Sequence, residues 1–488
     1  MTDHVRAGPL LLQAMRVVAM GAALSAALAG CASHPAAPEP TGALAPAQWQ
    51  APLPHQGSVT DLARWWQQFN DPLLSQLIAS AEGVSPTLAS AQSRIAQARA
   101  ARTASGAALL PAVNANASVV RGRQDFVTPL GTLASAGLQA SWELDLFGGG
   151  RAARDAAQAR LEGAEAGWHE ARVSVAAEVA NNYVALRACE AQRVQTEADA
   201  ASRAETARLT ALTAQAGFQS PANEALSRAS AAQGRAQLAA QRAQCDLQVK
   251  ALVALTGIAE PALRTSLAGG TSNLPQPQQI AIGSVPAESL NQRPDLYSAA
   301  RAVEAASADV ANARAQRLPR VTLAGSVGRA RFDGSGFVAT GNVWSLGPIA
   351  VTLPVFDAGQ RAANVDAARA RYDEAAALYR ARLRGAVREV EEALVQLQST
   401  AERNEDARIA ADGFDASYRA TEARFRGGLA SLFELEDARR SALQAHSTLI
   451  DLQRERVAAW ITLYRALGGG WQPGAAQSAQ AAVSALTN

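Results

Sequence analysis

Leu383-Arg384-Gly385-Ala386-Val387-Arg388-Glu389-Val390-Glu391-Glu392-Ala393-Leu394-Val395-Gln396-Leu397 lies inside a proline-free run from Phe356 to Gly468. The run is rich in Ala, Arg, Glu and Leu, which are strong helix formers. Leu383, Val387, Val390, Leu394 and Leu397 recur at alternating steps of four and three, the spacing of a supercoiled seam. A helix reaching Arg426 at ~1.5 Å per residue spans roughly 100 Å, beyond an ordinary globular domain. Gly427-Gly428 breaks the run, Ser431 is placed to cap a second helix, and that helix is predicted from Leu432 to Leu467. In it Leu435, Ala442, Leu449 and Leu463 share one heptad position, with Arg456 interrupting the series. Ala438, Ala445, Leu452, Ala459 and Ala466 share another. The stretch reads as a long helical hairpin with closely packed, Ala-rich faces.

The same pattern occurs earlier. Leu146-Phe147-Gly148-Gly149-Gly150-Arg151 matches Val355-Phe356-Asp357-Ala358-Gly359-Gln360-Arg361, with one extra residue in the second copy. Val173, Ala177, Ala180 and Val184 precede the seam residues Leu383, Val387, Val390 and Leu394 by 210 residues. Gly217-Phe218-Gln219-Ser220 matches Gly428-Leu429-Ala430-Ser431, and Pro221 falls where a first-turn proline is welcome. Across all such matches the offset drifts only from 208 to 212, which marks a tandem duplication.

The strands lie between the helices. Leu138, Ala140, Trp142, Leu144 and Leu146 alternate with Gln139, Ser141, Glu143 and Asp145, and Val113, Ala115, Ala117 and Val119 with Asn114, Asn116 and Ser118. Period two, with one apolar face over roughly ten residues, is the pattern of a membrane strand. The second copy offers Val321–Arg329 and Val343–Val355, blurred by Pro348 and Pro354. Loops are expected at Gly122–Thr132 and Ala330–Gly341. Four strands cannot close in lipid, where about eight is the minimum, so a membrane barrel has to be shared between subunits.

The chain has 488 residues and a net charge of +2, from 45 basic and 43 acidic side chains interspersed, which argues against nucleic acid as a partner. Arg6 and Arg16 precede the apolar run Val17–Leu28, too short to cross a bilayer and suited to a signal peptide. The run ends in Leu28-Ala29-Gly30-Cys31, which resembles a bacterial lipobox; an ordinary secretory cleavage site is the plainer alternative. By that resemblance Cys31 becomes the acylated N-terminus, and the absence of Asp at Ala32 favours the outer membrane. All three Met residues (Met1, Met15, Met20) lie in the leader, which excludes a thioether metal relay in the mature chain.

Cys189 and Cys245 lie 28 residues before and 28 after Gly217, at one level of an antiparallel hairpin. They form either a disulfide across the helices or two thiols on different faces. No His pair has metal-ligand spacing, and no nucleophile motif is present, so an enzyme is not expected and no cofactor is implied.

Three segments carry a family likeness. Trp65-Trp66-x-x-Phe69-x-Asp71-Pro72-x-Leu74-x-x-Leu77-Ile78, Asn291-Gln292-Arg293-Pro294-Asp295-Leu296 and Phe356-Asp357-x-Gly359 resemble the outer-membrane efflux lipoproteins. These are NodT-type outer membrane factors of the TolC superfamily, the exit ducts of tripartite resistance-nodulation-division (RND) pumps. The resemblance implies a mainly α fold with a membrane β-barrel. Duplicated helical hairpins would form a trimeric α-barrel, and four strands per chain a shared 12-stranded outer-membrane β-barrel. It divides the chain into a signal peptide (1–30), a lipidated tether (31–62), a first repeat (63–257), an equatorial linker (258–290), a second repeat (291–470) and a tail (471–488).

The implied partners are two further copies of the chain, outer-membrane lipid, a periplasmic adaptor and an inner-membrane RND pump. The adaptor would dock at the hairpin tips, Gly217, Ser220, Pro221, Gly427, Gly428 and Ser431. The periplasmic aperture maps to Phe433 as an apolar plug, Glu434 and Asp437 as acidic rings, and Arg440 as a salt-bridge partner. Here the family's Leu-Asp-Ala-x-Arg reads Glu436-Asp437-Ala438-Arg439-Arg440, and the extra acid leaves the pairing open. Glu434 and Asp437 also suit a helix start, where the dipole favours acids, and the two roles are compatible. A reading of another class is a lipid-anchored adaptor or coiled-coil scaffold, which carries one hairpin flanked by small β-domains.

Overall fold

The structure, a computed structural model, describes residues 50, 65–123, 130–269, 274–275, 290–334 and 336–471. The predicted leader, Cys31, nearly all of the tether, much of the linker, and the tail beyond Trp471 lie outside the described residues. The helices and strands in chain order are α1 (Pro72–Val84), α2 (Pro86–Ala107), β1 (Ala112–Gly122), β2 (Gly131–Leu144), α3 (Gly149–Gln215) and α4 (Pro221–Thr256). There follow α5 (Glu260–Gly269), α6 (Pro294–Ala315), β3 (Arg320–Gly334), β4 (Phe337–Thr352), α7 (Gln360–Arg426) and α8 (Leu432–Ala466). The predicted hairpins are α3–α4 and α7–α8. Pro221 opens α4 and Ser431 caps α8, as the sequence indicates. Among the described residues no helix is long and apolar enough to cross a membrane.

Among the described residues, two compact units divide the chain. The first comprises 95–163 and 299–378. Its centre is a four-stranded antiparallel sheet in the order β1-β2-β3-β4, so the two copies pair with each other through β2 and β3. Register carries the alternation across the sheet. Val113, Ala140, Gly325 and Leu346 share one row, and Ala115, Leu138, Val327 and Trp344 the next. This face is apolar and bare: Leu346 is 83% exposed and Trp344 77%. The opposite face is polar, with Ser118 and Ser135 hydroxyls 2.9 Å apart and Ser326 and Ser345 2.8 Å apart. The Trp142 indole N–H donates to the Leu109 carbonyl (2.8 Å) at the helix-bearing end of the sheet, so that ring is fixed there.

The second copy corrects the sequence reading. The loop expected at Ala330–Gly341 is strand on both sides, because β3 continues to Gly334 and β4 begins at Phe337. Arg329, Arg331 and Asp333 still alternate with Ala330 and Phe332. Their polar side chains, however, occupy the face that is apolar nearer the helices, which hides the period. Pro348 is absorbed by a bulge. The register shifts between the pairs Leu323–Ile349 and Gly325–Leu346, and Pro348 falls in that shift, so its missing N–H costs no regular ladder bond.

The second unit comprises the described residues of 50–94, 164–298 and 379–471. Its core joins α3 (Val173, Ala180, Val184), α7 (Val390, Leu394, Leu397) and α8 (Val457, Trp460, Ile461). Leu383 and the other seam residues are buried, apart from half-buried Val387, as the four-three spacing requires. Trp65 packs 6.1 Å from the Trp460 ring and 5.3 Å from the Tyr464 ring. Asp71 caps α1 through Leu73 N–H and Leu74 N–H, and its other oxygen accepts the Tyr183 hydroxyl at 2.6 Å.

Arg293 explains the Asn291-Gln292-Arg293-Pro294-Asp295 segment. It donates to the Ala466 carbonyl at the end of α8 (2.6 Å) and to Asp295 (2.7 Å) and Glu389 (2.9 Å). Gly468 follows in the left-handed region (φ +81°), where a Cβ would lie 2.3 Å from the Gln292 carbonyl oxygen, so only glycine fits. Cys189 and Cys245 form a disulfide with Cα atoms 5.5 Å apart, which settles the choice between bond and separate thiols.

Candidate functional site

The two hairpin turns are built alike. Gly217 (φ +78°) and Gly428 (φ +74°) end α3 and α7 in the left-handed conformation that glycine adopts without strain. Phe218 N–H donates to Thr213 O and Gly217 N–H to Ala214 O; Leu429 N–H and Gly428 N–H do the same to Arg424 O and Phe425 O. Each bond closes an orphan carbonyl of the helix end. The next helix is then capped by serine: Ser220 Oγ accepts from Asn223 N–H and Ser431 Oγ from Glu434 N–H, both at 3.2 Å. Between them the tips present Phe218 (84% exposed) and Leu429 (74%). In such turns this position usually packs back on its own helix, so two exposed apolar side chains here depart from that pattern.

The residues that the resemblance maps to an aperture follow directly. Phe433, the second residue of α8, is 73% exposed. Glu434 reaches back to accept from Ser431 N–H at 2.6 Å, completing a reciprocal cap. That backbone N–H, with the Ser431 hydroxyl, holds the Glu434 carboxyl below the usual glutamate range. Asp437 is ion-paired with Arg440, both exposed. The pairing left open by the sequence is thus resolved. Asp437 takes Arg440, and the extra acid, Glu436, turns inward.

Inward lies a cluster that the sequence reading did not find. Arg439 is 3% exposed and is ion-paired with Glu436. It also donates to Ser202 Oγ and Thr206 Oγ1 (both 3.0 Å), and its guanidinium stands 5.7 Å from the Tyr418 ring centre. The second oxygen of Glu436 accepts from Ser230 Oγ (2.9 Å) and from Arg203 (3.3 Å), which also binds Asp199 at 2.7 Å. Tyr418 and Ser202 hydroxyls are 2.8 Å apart. One network therefore ties α3 and α4 to α7 and α8, about 20 Å up the helices from the Gly217 turn, at 1.5 Å per residue over the span from Arg203. Charges buried this far stay only when paired, so the network clasps the two hairpins together. Among the described residues Asp199 Oδ1 and Arg439 Nε find no hydrogen-bond partner, and they face each other at 3.9 Å, leaving the clasp one bond short. A signal was present in the sequence: Arg203 and Ser230 lie 14 and 13 residues either side of Gly217. Tyr418 and Arg439 lie 10 and 11 either side of Gly428.

A protein-family model described as outer membrane efflux protein matches residues 77–258 and 285–469. The chain is 30% identical over 466 residues to the pyoverdine export outer membrane protein OpmQ of Pseudomonas putida, covering 92% of this chain and 96% of that protein. It is 30% identical over 455 residues to the outer membrane protein OprJ of Pseudomonas aeruginosa, covering 92% and 94%. Among solved structures, the outer-membrane channel OprN is similar with a TM-score of 0.78 at 28% identity, over 88% of this chain and 98% of that one. The open state of the Neisseria gonorrhoeae MtrE outer membrane channel gives 0.77 at 25%, over 91% and 99%.

Proposed function

The chain belongs to the outer membrane efflux protein family, and on that premise we propose that three copies assemble into one exit duct. It is an outer-membrane efflux channel and not an enzyme. The observation that carries the trimer is the sheet. Among the described residues β1 and β4 are the edge strands, each with one side open, and a bare apolar face runs alongside. Lipid tolerates no open edge, and three such sheets supply twelve strands that close on one another. The apolar rows then face lipid and the Ser, Asn and Gln rows face the lumen. An adaptor or scaffold leaves that face uncovered.

In the duct the hairpin turns point into the periplasm, and Phe218 and Leu429 meet the apolar groove of an adaptor that links the channel to an inner-membrane pump. Cys31 carries the lipid anchor. Phe433 and Asp437 from three α8 helices narrow the pore, and the acids select cations. Glu434 serves first as a cap.

These roles differ in a measurable way. Replacing Asp437 with alanine raises single-channel conductance and lowers cation preference. Glu434→Ala does less to selectivity, because its charge is already held by Ser431 N–H, but it loosens the turn. The pH response has a definite sign. Glu434 has a lowered carboxyl pKa when folded, so its cap contributes stability above the usual glutamate range and loses it as pH falls through the folded value. The turn should therefore fray only under acid conditions. Equal effects of the two substitutions on selectivity would sink this division of labour.

A further inference from the structure

The sheet's apolar face changes character toward the end away from the helices. The four rows nearest the helices carry no charge: Leu144–Val321–Val351, Trp142–Leu323–Ile349, Ala140–Gly325–Leu346 and Leu138–Val327–Trp344. The next three rows, on the same face, bring in Arg329 beside Ala136 and Ala117, Arg331 beside Ala134 and Val119, and Arg121 beside Thr132 and Asp333. Among the described residues of these rows, three guanidiniums thus stand against one carboxylate, Asp333, which lies 3.9 Å from Arg331. Thr340 and Asn342 of β4 add hydrogen-bonding groups in the rows of Arg331 and Arg329. The small side chains of Ala117, Ala134 and Ala136 leave a shallow groove of about 460 Å³, edged by Arg329, Arg331 and Thr340.

We propose that this groove binds a phosphorylated, multiply acylated glycolipid of the outer leaflet, with phosphate groups on Arg329, Arg331 and Arg121 and an acyl chain over the alanines. The inference rests on the sheet lying in the outer membrane with its helices on the periplasmic side, which puts the arginines at the outer leaflet. Charge complementarity selects the occupant. Arginines set among alanine and valine on a lipid-facing surface need an anion, and the guanidinium fork matches phosphate in two-point geometry. The apolar rows along the same strands fix the lipid's depth, since about two residues of strand advance each row by 6 to 7 Å.

The test uses the purified full-length trimer and three probes: bis-phosphorylated lipid A, the same lipid dephosphorylated, and inorganic pyrophosphate, with bound lipid counted by native mass spectrometry. The phosphorylated lipid should bind wild type at least about tenfold more tightly than the dephosphorylated form, as loss of charge-assisted pairs predicts. Arg121→Gln/Arg329→Gln/Arg331→Gln should abolish that preference, and the matching Lys variant should keep part of it. Unchanged single-channel conductance in the Gln variant shows that the barrel is intact, which separates failure of this site from failure of the duct. Equal binding of the two lipids by wild type overturns the proposal whatever the variants do, and so does pyrophosphate competing as well as the lipid.

Discussion

Arg439→Met should loosen the hairpins by about 3 kcal/mol, the low end of the cost of removing one partner from a buried ionic network. The low end applies because Glu436 keeps Arg203 and Ser230 as partners. Methionine fills much of the volume, so the loss reports charge and hydrogen bonds rather than a cavity. Ser202 and Thr206 lose their donor, and the Tyr418 ring loses the cation beside it. Hydrogen exchange should quicken at amides 199–210 and 432–442, and the open pore should be visited more often in bilayer recordings. Adding Glu436→Gln should restore part of the protection, because Arg203 then no longer has to balance both Asp199 and Glu436. Exchange unchanged in both variants would show that the clasp holds nothing.

Removal of the disulfide comes next in size. The Cys189–Cys245 bond closes a 56-residue separation, for which the chain-entropy relation gives about 4 kcal/mol as an upper figure. The measured loss should fall below that, since the closed segment is a helical hairpin that retains local structure when unfolded. Cys189→Ser/Cys245→Ser, and wild type with reductant, should both melt earlier than oxidised wild type. The double variant should no longer respond to reductant. A melting point indifferent to both treatments contradicts a structural role.

The parts of this molecule that repeat were readable in its sequence. Leu383, Val390, Leu394 and Leu397 announce a buried seam by spacing alone, and Gly217 and Gly428 announce turns because left-handed backbone favours glycine. Leu138, Ala140 and Trp142 announce a strand with one apolar face. What escaped depends on contacts between segments far apart in sequence. Arg439 sits in a helix whose neighbours Asp437 and Arg440 are solvated, and nothing local marks it as buried beside Ser202, 237 residues away. The strand β3 was cut short because its outward face turns from Val327 to Arg329, a change set by the height of the apolar band and not by the strand's own period. Pro348 blurred β4 because a bulge is a property of the strand pair, visible only in the register shift between Leu323–Ile349 and Gly325–Leu346. For the cysteines the sequence supplied the level, and side-chain direction on each helix decided the bond.

Single-channel recording of the purified wild-type protein in planar bilayers tests the central claim most directly. Long-lived, cation-preferring pores of one unit size, from particles of three chains, are the predicted result. Folded, trimeric protein that leaves the bilayer sealed would contradict the duct.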